Sequence, residues 1–376
     1  MTRTANMSLA FSDEQAMILE SAKAFCSDKS PMTTVRSLLN SDTGYLPEVW
    51  DEMVALGWTG IAIPEQYGGS DLGIGSTVPL VESLGRHMLC TPLISTTLAA
   101  QAILRGGSEQ QKANWLPKIA EGAIGALALL DNGDWGASLT GCNLEPAGQR
   151  LQLSGSKLLV NDAAVADFFV VSANHQGNAC LVIVEASQLG SDALSSKTLI
   201  DETKRACDID FSGVALSPEA LLPNSESALR DIRLLGALLF AAEATGSCAS
   251  TLDCVVDYLT TRIQFGRLIG SYQALKHPTV DILLQMEASR SLVYQAATII
   301  DSETLDSDAE IACRMAKTQA TEALLYAGDR AVQFHGGMGF TYDCDAQLYI
   351  RRGQWAQHQY GDAQHHRLHL ASLLLD

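Results

Sequence analysis

The sequence predicts an α+β protein in which a helical N-terminal domain, a small middle β-domain and a C-terminal helical bundle follow one another. Apolar residues recur at helical spacing up to about residue 123, and they alternate with polar residues between about 125 and 222. Helical spacing returns from about residue 225. We therefore expect domains at 1–124, 125–224 and 225–376, a division that suits a chain of 376 residues.

Composition is that of an ordinary globular protein, with 47% hydrophobic and 18% charged residues. No apolar run approaches the ~20 residues that span a bilayer, and the N-terminus lacks the apolar core of a signal peptide. A net charge of −18 argues against nucleic acid or an anionic membrane as partner, because both would be repelled. We expect a cytoplasmic protein that binds neither.

The N-terminal domain shows helix-start signals at several points. Pro47 suits a first helical turn, and the helix that it starts should stop at Gly57. Ser108 is followed three residues later by Gln111, which is the arrangement of a capping box. The other predicted helices begin at Phe11 and cover about 75–88 and 94–105.

The middle segment changes to the two-residue period of strands. Leu151 and Leu153 alternate with polar neighbours, and 167–171 and 180–184 are short, β-prone and apolar. Glycine, serine and asparagine clusters separate these runs. This pattern predicts six or seven strands.

The C-terminal third returns to long helices. The segment 237–244 is apolar nearly all round, which is typical of a central buried helix. Further long helices are predicted at about 247–263, 271–300, 306–335 and 345–374. His365 and His369 share a helical face, but no carboxylate or cysteine follows at ligand spacing, so we expect no metal site.

Two stretches of this third carry recognisable motifs. The first, 262–273, reads Arg-Ile-Gln-Phe-Gly-Arg-Leu-Ile-Gly-Ser-Tyr-Gln, and the second opens at Gln333 with Gln-Phe-His-Gly-Gly-Met-Gly. With Gly-Trp-Thr-Gly-Ile-Ala-Ile-Pro-Glu-Gln-Tyr-Gly-Gly-Ser at 57–70, they resemble signature regions of the acyl-CoA dehydrogenase family in order and spacing. The resemblance covers nearly the whole chain. It implies the family's architecture, in which the last domain is a four-helix bundle.

The resemblance implies FAD as cofactor. In that family the matching residues reach across a subunit interface to the FAD of a neighbouring subunit. Arginine suits the charged diphosphate, and glycines let the backbone approach the adenosine half. Arg262 and Gln273 match the residues that reach across the interface, and Phe265 and Gly266 match the Phe-Gly pair that follows the arginine. The residues that match the glycine-rich segment packing on the adenosine half are Gln333, Gly336, Gly337 and Gly339.

The half of the site that would hold the flavin ring departs from the family pattern. The family tryptophan and threonine of the Gly-x-Lys-x-Trp-Ile-Thr-Asn string are Leu159 and Asn161 here. Trp135 could replace that tryptophan from another loop, although a single tryptophan more often belongs to the core. Asp362 stands where a threonine is expected beside the phosphates, and its carboxylate would repel them. This chain's own flavin site therefore looks degraded.

The usual catalytic base is also missing. The family glutamate lies 24 residues after the first glycine of the Gly-Gly pair, where this chain has Tyr360. Some members carry it 26 residues before the arginine of the first motif, where this chain has Gly236. Glu243 is the best remaining carboxylate, but a structural ion pair explains a charge in so apolar a helix better. Asp362 is a weaker candidate. We assign no catalytic residue.

These observations lead to one interpretation and two alternatives. The chain resembles the non-catalytic subunit of a heteromeric acyl-CoA dehydrogenase, an α₂β₂ assembly in which a homologous partner desaturates an acyl-CoA thioester. The resemblance extends to such subunits in steroid side-chain degradation, and an electron-transfer flavoprotein is one acceptor that it implies. A self-sufficient homotetrameric dehydrogenase or oxidase with a relocated base is the first alternative. A flavin-free scaffold or binding protein is the second.

Overall fold

A computed structural model describes residues 13–135, 141–300 and 305–375, and it shows the predicted α+β architecture. The N-terminal block is helical. Its helices α3, α4 and α5 match the predicted segments within two residues, and the capping box of Ser108 and Gln111 is formed in front of α6. The helices are α1 (Asp13–Lys29), α2 (Met32–Leu38), α3 (Pro47–Ala55), α4 (Thr77–Arg86), α5 (Leu93–Gly106) and α6 (Glu109–Ala120).

The middle block contains two sheets. Its strands are β1 (Gly125–Ala128), β2 (Asn143–Ala147), β3 (Arg150–Ser154), β4 (Ser156–Asn161), β5 (Phe168–His175), β6 (Asn178–Glu185), β7 (Leu194–Ser196), β8 (Ala206–Asp210) and β9 (Val214–Leu216). The larger sheet has the order β1-β5-β2-β3-β9 with β6 paired to β5, and the smaller has β4-β8-β7. Nine strands in the described middle block exceed the six or seven predicted. The three-residue strands β7 and β9 are too short to show a period in the sequence.

The C-terminal block is a four-helix bundle whose fourth member is divided in two. Its helices are α7 (Ser225–Thr261), α8 (Gln273–Ile299), α9 (Ser307–His335), α10 (Ala346–His358) and α11 (Ala363–Leu375). The long helix α7 is apolar enough to cross a bilayer, but 94% of its apolar window is buried inside the protein. It is therefore the central core helix that the sequence predicts for 237–244.

The prediction of a separate helix at about 247–263 is wrong, because α7 runs through this segment without a break. Gly246 does not end the helix. A Cβ at this position would lie 1.9 Å from the carbonyl oxygen of Glu82 on α4, so the glycine allows α4 and α7 to pack closely.

The prediction of one helix at 345–374 is also wrong. Tyr360 and Gly361 take left-handed backbone conformations, with φ of 57° and 99°, and they separate α10 from α11. The buried ammonium of Lys317 on α9 supports this break by donating hydrogen bonds to the carbonyl oxygens of Ala356, Gln357 and Gly361 at 3.0–3.1 Å. The free carbonyls at the end of α10 are thereby satisfied from a neighbouring helix.

Candidate functional site

A short exposed hairpin follows α7 and carries the first motif. Its strands are β10 (Ile263–Gln264) and β11 (Arg267–Leu268), and Phe265 and Gly266 form the two-residue turn. Both turn residues have positive φ, 52° and 77°, as a tight hairpin of this twist requires. Phe265 is 92% exposed, so a large apolar ring in a strained backbone conformation points into solvent.

The hairpin forms one wall of an open groove of about 1110 Å³, which we call the outer groove. Arg262, Phe265, Gly336 and Gly337 all line it, so the structure brings the two motifs together. The rings of Tyr258 and His335, stacked 4.1 Å apart, also belong to its lining. A Cβ at Gly336 or Gly337 would meet no atom within 4 Å, and both glycines present open backbone to the groove.

The other residues of the predicted cofactor set lie around this groove or have a different role. Gln273 begins α8, Gln333 lies in the last turn of α9, and both are exposed outside the groove lining. Gly266 belongs to the hairpin turn. Gly339 is buried, and a Cβ there would lie 2.2 Å from the carbonyl oxygen of Val332, so packing within the chain requires this glycine.

Arg262 is the cation of the outer groove. It caps the end of α7 through its backbone, its side chain is exposed, and it has no ion-pair or side-chain hydrogen-bond partner among the residues described. A guanidinium beside open glycine backbone matches the charge and the geometry of a diphosphate. The outer groove therefore has a cation and open backbone that can receive a diphosphate, together with the carboxylates of Asp343 and Asp345 in its lining.

The two positions of the usual base meet inside the protein. Tyr360, between α10 and α11, is buried, and its ring stacks on Trp135 at 4.7 Å and tilts against Phe240 at 5.7 Å. A Cβ on Gly236 would lie 2.4 Å from the Tyr360 ring. The tyrosine ring therefore occupies the space that a side chain at 236 would need.

The space on the Leu159 and Asn161 side of this ring is small. The cavity lined by Trp135, Leu159, Asn161 and Tyr360 measures about 10 Å³, which is room for one water molecule. Leu159 lies in a left-handed conformation with φ of 48° where the family has tryptophan. A flavin ring does not fit this position. The described residues thus leave an open groove beside Arg262 and Gly336, and a cavity beside Tyr360 that is smaller than a flavin ring.

Tyr360 is unsuited to act as a base. Burial raises the pKa of its phenol above the ordinary value near 10, and the neighbouring Arg233 opposes this shift only in part. The phenol is therefore neutral at neutral pH. A buried, neutral hydroxyl packed between two aromatic rings contributes shape rather than proton transfer.

The remaining carboxylate candidates are engaged elsewhere. Glu243 is 1% exposed, and its Oε1 accepts hydrogen bonds from Lys204 and from Arg352, the latter at 3.4 Å. Arg352 also donates to Asp201 at 2.6 Å, so these groups form a buried ion cluster between the middle and C-terminal blocks. Asp362 caps α11 by accepting the backbone N–H of His365 at 2.8 Å. These contacts support a structural role for both.

Comparisons with known proteins place this architecture in a family. The profile "Acyl-CoA dehydrogenase, N-terminal domain" matches residues 12–123, and "Acyl-CoA dehydrogenase, C-terminal domain" matches residues 234–375. An acyl-CoA dehydrogenase of Bacillus subtilis is 30% identical over 336 residues, which cover 85% of this chain and 87% of that protein. The chain belongs to the acyl-CoA dehydrogenase family, whose members are FAD-binding flavoproteins and oxidoreductases acting on CH–CH bonds.

Two further similarities extend over nearly the whole chain. Acyl-CoA dehydrogenase IpdE2 of Mycolicibacterium smegmatis is 27% identical over 346 residues, covering 91% of this chain and 92% of that protein. The structure of the Tcur3481-Tcur3483 steroid ACAD G363A variant superposes with a TM-score of 0.85 at 28% identity. It covers 96% of this chain and 98% of that one.

The sequence does not show how the side chains of this site pack. It allows Trp135 as a core residue or as a replacement for the family tryptophan. Trp135 instead stacks on Tyr360, and the two are 225 positions apart in the sequence. No local pattern could have shown this contact. The signal available in the sequence was that one base position holds a large tyrosine and the other holds a glycine, which leaves room for the tyrosine ring.

Proposed function

We propose that this chain is the non-catalytic subunit of a heteromeric acyl-CoA dehydrogenase and supplies FAD contacts to a homologous catalytic partner. The observation that carries the proposal is the Tyr360 ring, which fills both base positions and, with Trp135, the ring position. The outer groove meanwhile keeps an unpaired arginine and open glycine backbone. Such a groove can complete the FAD site of a neighbouring subunit whose own site for the flavin ring is intact.

The exposed face around the outer groove supports a partner. Phe265, Met338, Phe340 and Tyr342 are all more than half exposed and lie on the hairpin or on the segment after α9. Exposed apolar patches mark interaction sites in soluble proteins, and Phe265 and Met338 line the outer groove together. In a homotetramer each outer groove would face a neighbour that has no room for the flavin ring. An unlike partner with an intact flavin-ring site would give one complete FAD site per pair of subunits. We infer an α₂β₂ assembly.

The partner would carry out the reaction of the family, α,β-desaturation of an acyl-CoA thioester with hydride transfer to flavin. Similarity to a steroid ACAD supports a steroid acyl-CoA as substrate, and within that class we propose a side-chain acyl-CoA. A solved structure at 28% identity is described as an electron transferring flavoprotein of Acidaminococcus fermentans. It supports an electron-transfer flavoprotein as the acceptor.

Flavin stoichiometry tests the proposal. The chain expressed alone should be colourless, and co-expression with a homologous partner should give one FAD for every two chains. Absorbance at the flavin band and mass from light scattering measure this ratio. A yellow homotetramer with one FAD per chain and acyl-CoA turnover would establish the self-sufficient enzyme instead. A colourless protein with every homologous partner would establish a flavin-free scaffold.

A further inference from the structure

The turn after β4 contacts all three blocks of the chain. Asn161, the last residue of β4, donates through Nδ2 to Oε1 of Gln359 at 3.4 Å, and Gln359 directly precedes Tyr360 at the break between α10 and α11. Asp162 follows Asn161, and its carboxylate accepts a hydrogen bond from the hydroxyl of Ser95 on α5. A change of charge at Asp162 therefore acts where the middle block meets both helical blocks.

Neutral groups hold Asp162 in place. Among the residues described, the Ser95 hydroxyl is the one side chain that hydrogen-bonds to its carboxylate, and none forms an ion pair with it. The backbone N–H of Asp162 donates to the carbonyl oxygen of Arg205 at 3.0 Å, and its φ of 58° lies in the left-handed region. The guanidinium of Arg205 donates to the carbonyl oxygens of Leu38 and Ser41 instead.

The charges that act on Asp162 belong to the buried ion cluster, whose members are already paired with one another. Lys204 donates to Oε1 of Glu243, which also accepts from Arg352, and Arg352 pairs with Asp201 at 2.6 Å. Two cations thus balance two carboxylates. An ionised Asp162 is a third carboxylate beside this cluster without a third cation, and such a surplus charge is costly in a largely buried place.

The surroundings of Asp162 favour its protonated form. Burial raises the pKa of its carboxyl to about 6, and the negative charge of Glu243 adds to this shift, while the Ser95 hydrogen bond and the charge of Lys204 oppose it only in part. Burial and the charge of Asp162 also raise the pKa of the Tyr45 phenol, which is therefore neutral. The folded chain keeps a proton that an unfolded aspartate releases near pH 4, so this contribution to stability is lost as pH rises through about 6.

We propose that Asp162 is a pH-dependent switch that controls how firmly the middle block is held to α5 and α7. With its proton, the carboxyl is a neutral partner of the Ser95 hydroxyl, and the ion cluster beside it is balanced. Release of the proton to water leaves one uncompensated negative charge at the junction. The turn after β4 then opens more often than the inner strands of the sheet. The switch belongs to this chain alone and does not depend on its subunit role.

Infrared difference spectra test the protonation directly, using the full chain in its purified assembly. Wild type should lose the carbonyl band of a buried carboxylic acid between about pH 5.5 and 8, with a midpoint near 6. Asp162→Asn should lack this change, and Asp192→Asn, at an exposed aspartate of the same block, should keep it. Ser95→Ala removes a hydrogen bond that favours the ionised form, so its midpoint should be higher. No band change in wild type, the same change in Asp162→Asn, or an unshifted midpoint in Ser95→Ala would overturn the proposal.

Hydrogen exchange measures the opening of the junction. After correction for the intrinsic effect of pH on exchange, amides at 156–168 in wild type should open about three-fold more often at pH 8 than at pH 5.5. In Asp162→Asn this ratio should stay close to one, and amides of the inner strand β1 should show no change in either protein. Equal pH ratios in wild type and variant would contradict the switch. Faster exchange of the variant at both pH values would show that Asp162 only fills space, and would refute it as well.

Discussion

At the residue scale, Tyr360 and Gly236 form a complementary pair. The tyrosine ring packs where a Cβ at 236 would lie, and Phe240 and Trp135 complete its surroundings. Side chains in such closely packed interiors tolerate little added volume. Each residue of the pair therefore restricts what the other position can hold.

The pair predicts strong non-additivity in stability. Gly236→Ala should cost about 1–3 kcal/mol from overpacking, even though alanine is the better helix former by ~1 kcal/mol. Tyr360→Ala should cost about 3–5 kcal/mol, and the double variant should cost clearly less than the sum because the clash is gone. Urea unfolding measures these values. Tyr360→Phe, which keeps the ring, is the control and should stay within about 1 kcal/mol of wild type. Strict additivity would contradict the contact.

Arg262 should contribute to flavin retention in the assembled complex. Arg262→Ala is expected to weaken FAD binding by about 1.5–3 kcal/mol, the size of a charge-assisted hydrogen bond. Flavin remaining after dialysis, measured by absorbance, gives the loss. Arg150→Ala removes an exposed arginine far from both motifs in the sequence and should retain flavin as the wild type does. Full retention by Arg262→Ala would remove this residue from the cofactor set.

At the scale of elements, the break between α10 and α11 depends on α9. Lys317 donates to three carbonyl oxygens at the break, although its side chain is fully buried. Burial lowers the pKa of Lys317 to about 7, while nearby Asp362 opposes the shift. The position of Tyr360 therefore rests on a buried amine from another helix.

This lowered pKa predicts a pH dependence of stability. An unfolded lysine has a pKa of about 10.4, so between about pH 7 and 10 the unfolded chain binds this proton more tightly. The contribution of Lys317 to the free energy of unfolding should therefore rise with pH in that window. Lys317→Met should lose this rise, and its deficit relative to wild type should grow from pH 7 to 9 in urea unfolding. Lys118→Met, at an exposed lysine, should show no such trend. Parallel pH curves for wild type and Lys317→Met would disprove the assignment.

The hairpin after α7 combines strain with exposure at Phe265. Asparagine adopts left-handed backbone more readily than phenylalanine, so Phe265→Asn should leave the isolated chain as stable as wild type or slightly more so. The same variant should weaken assembly with the partner, because an exposed ring is lost from the interaction face. Light scattering during dilution of the complex reports dissociation. Met17→Asn, at an exposed methionine on α1, is the control. Unaltered assembly of Phe265→Asn would remove the hairpin from the interface.

At the scale of the whole molecule, a buried ion cluster joins the middle and C-terminal blocks. Asp201 comes from the middle block, Glu243 from α7 and Arg352 from α10, and each is at most 1% exposed. Removing one partner of such a cluster leaves an uncompensated buried charge, at a cost of about 3–5 kcal/mol. The β-sheets and the bundle are therefore interdependent in the folded chain.

Much of this fold could be predicted from the sequence because its signals are local. Pro47 at the start of α3 and the capping box of Ser108 and Gln111 were both confirmed. The motif glycines Gly336 and Gly337 and Arg262 do line one groove. Their roles toward FAD remain predictions.

What the sequence did not reveal depends on contacts between distant segments. Gly246 is a helix breaker by propensity, but packing against α4 keeps it within α7. The turn at Tyr360 and Gly361 is satisfied by Lys317, which lies on another helix. The closure of the ring site requires Trp135 to meet Tyr360 across the fold. No period or spacing in the sequence reports such contacts.

The packing of Tyr360 against Gly236 restricts which side chains these two positions can gain by a single substitution. A glutamate introduced at 360 would place an ionisable group against Trp135 and Phe240, where burial disfavours the charged form and Arg233 would offset that cost only in part. A glutamate introduced at 236 would collide with the tyrosine ring. Each single substitution to glutamate at these two positions therefore lowers the stability of the folded chain. Either position can therefore gain a carboxylate at low cost only if its neighbours change with it.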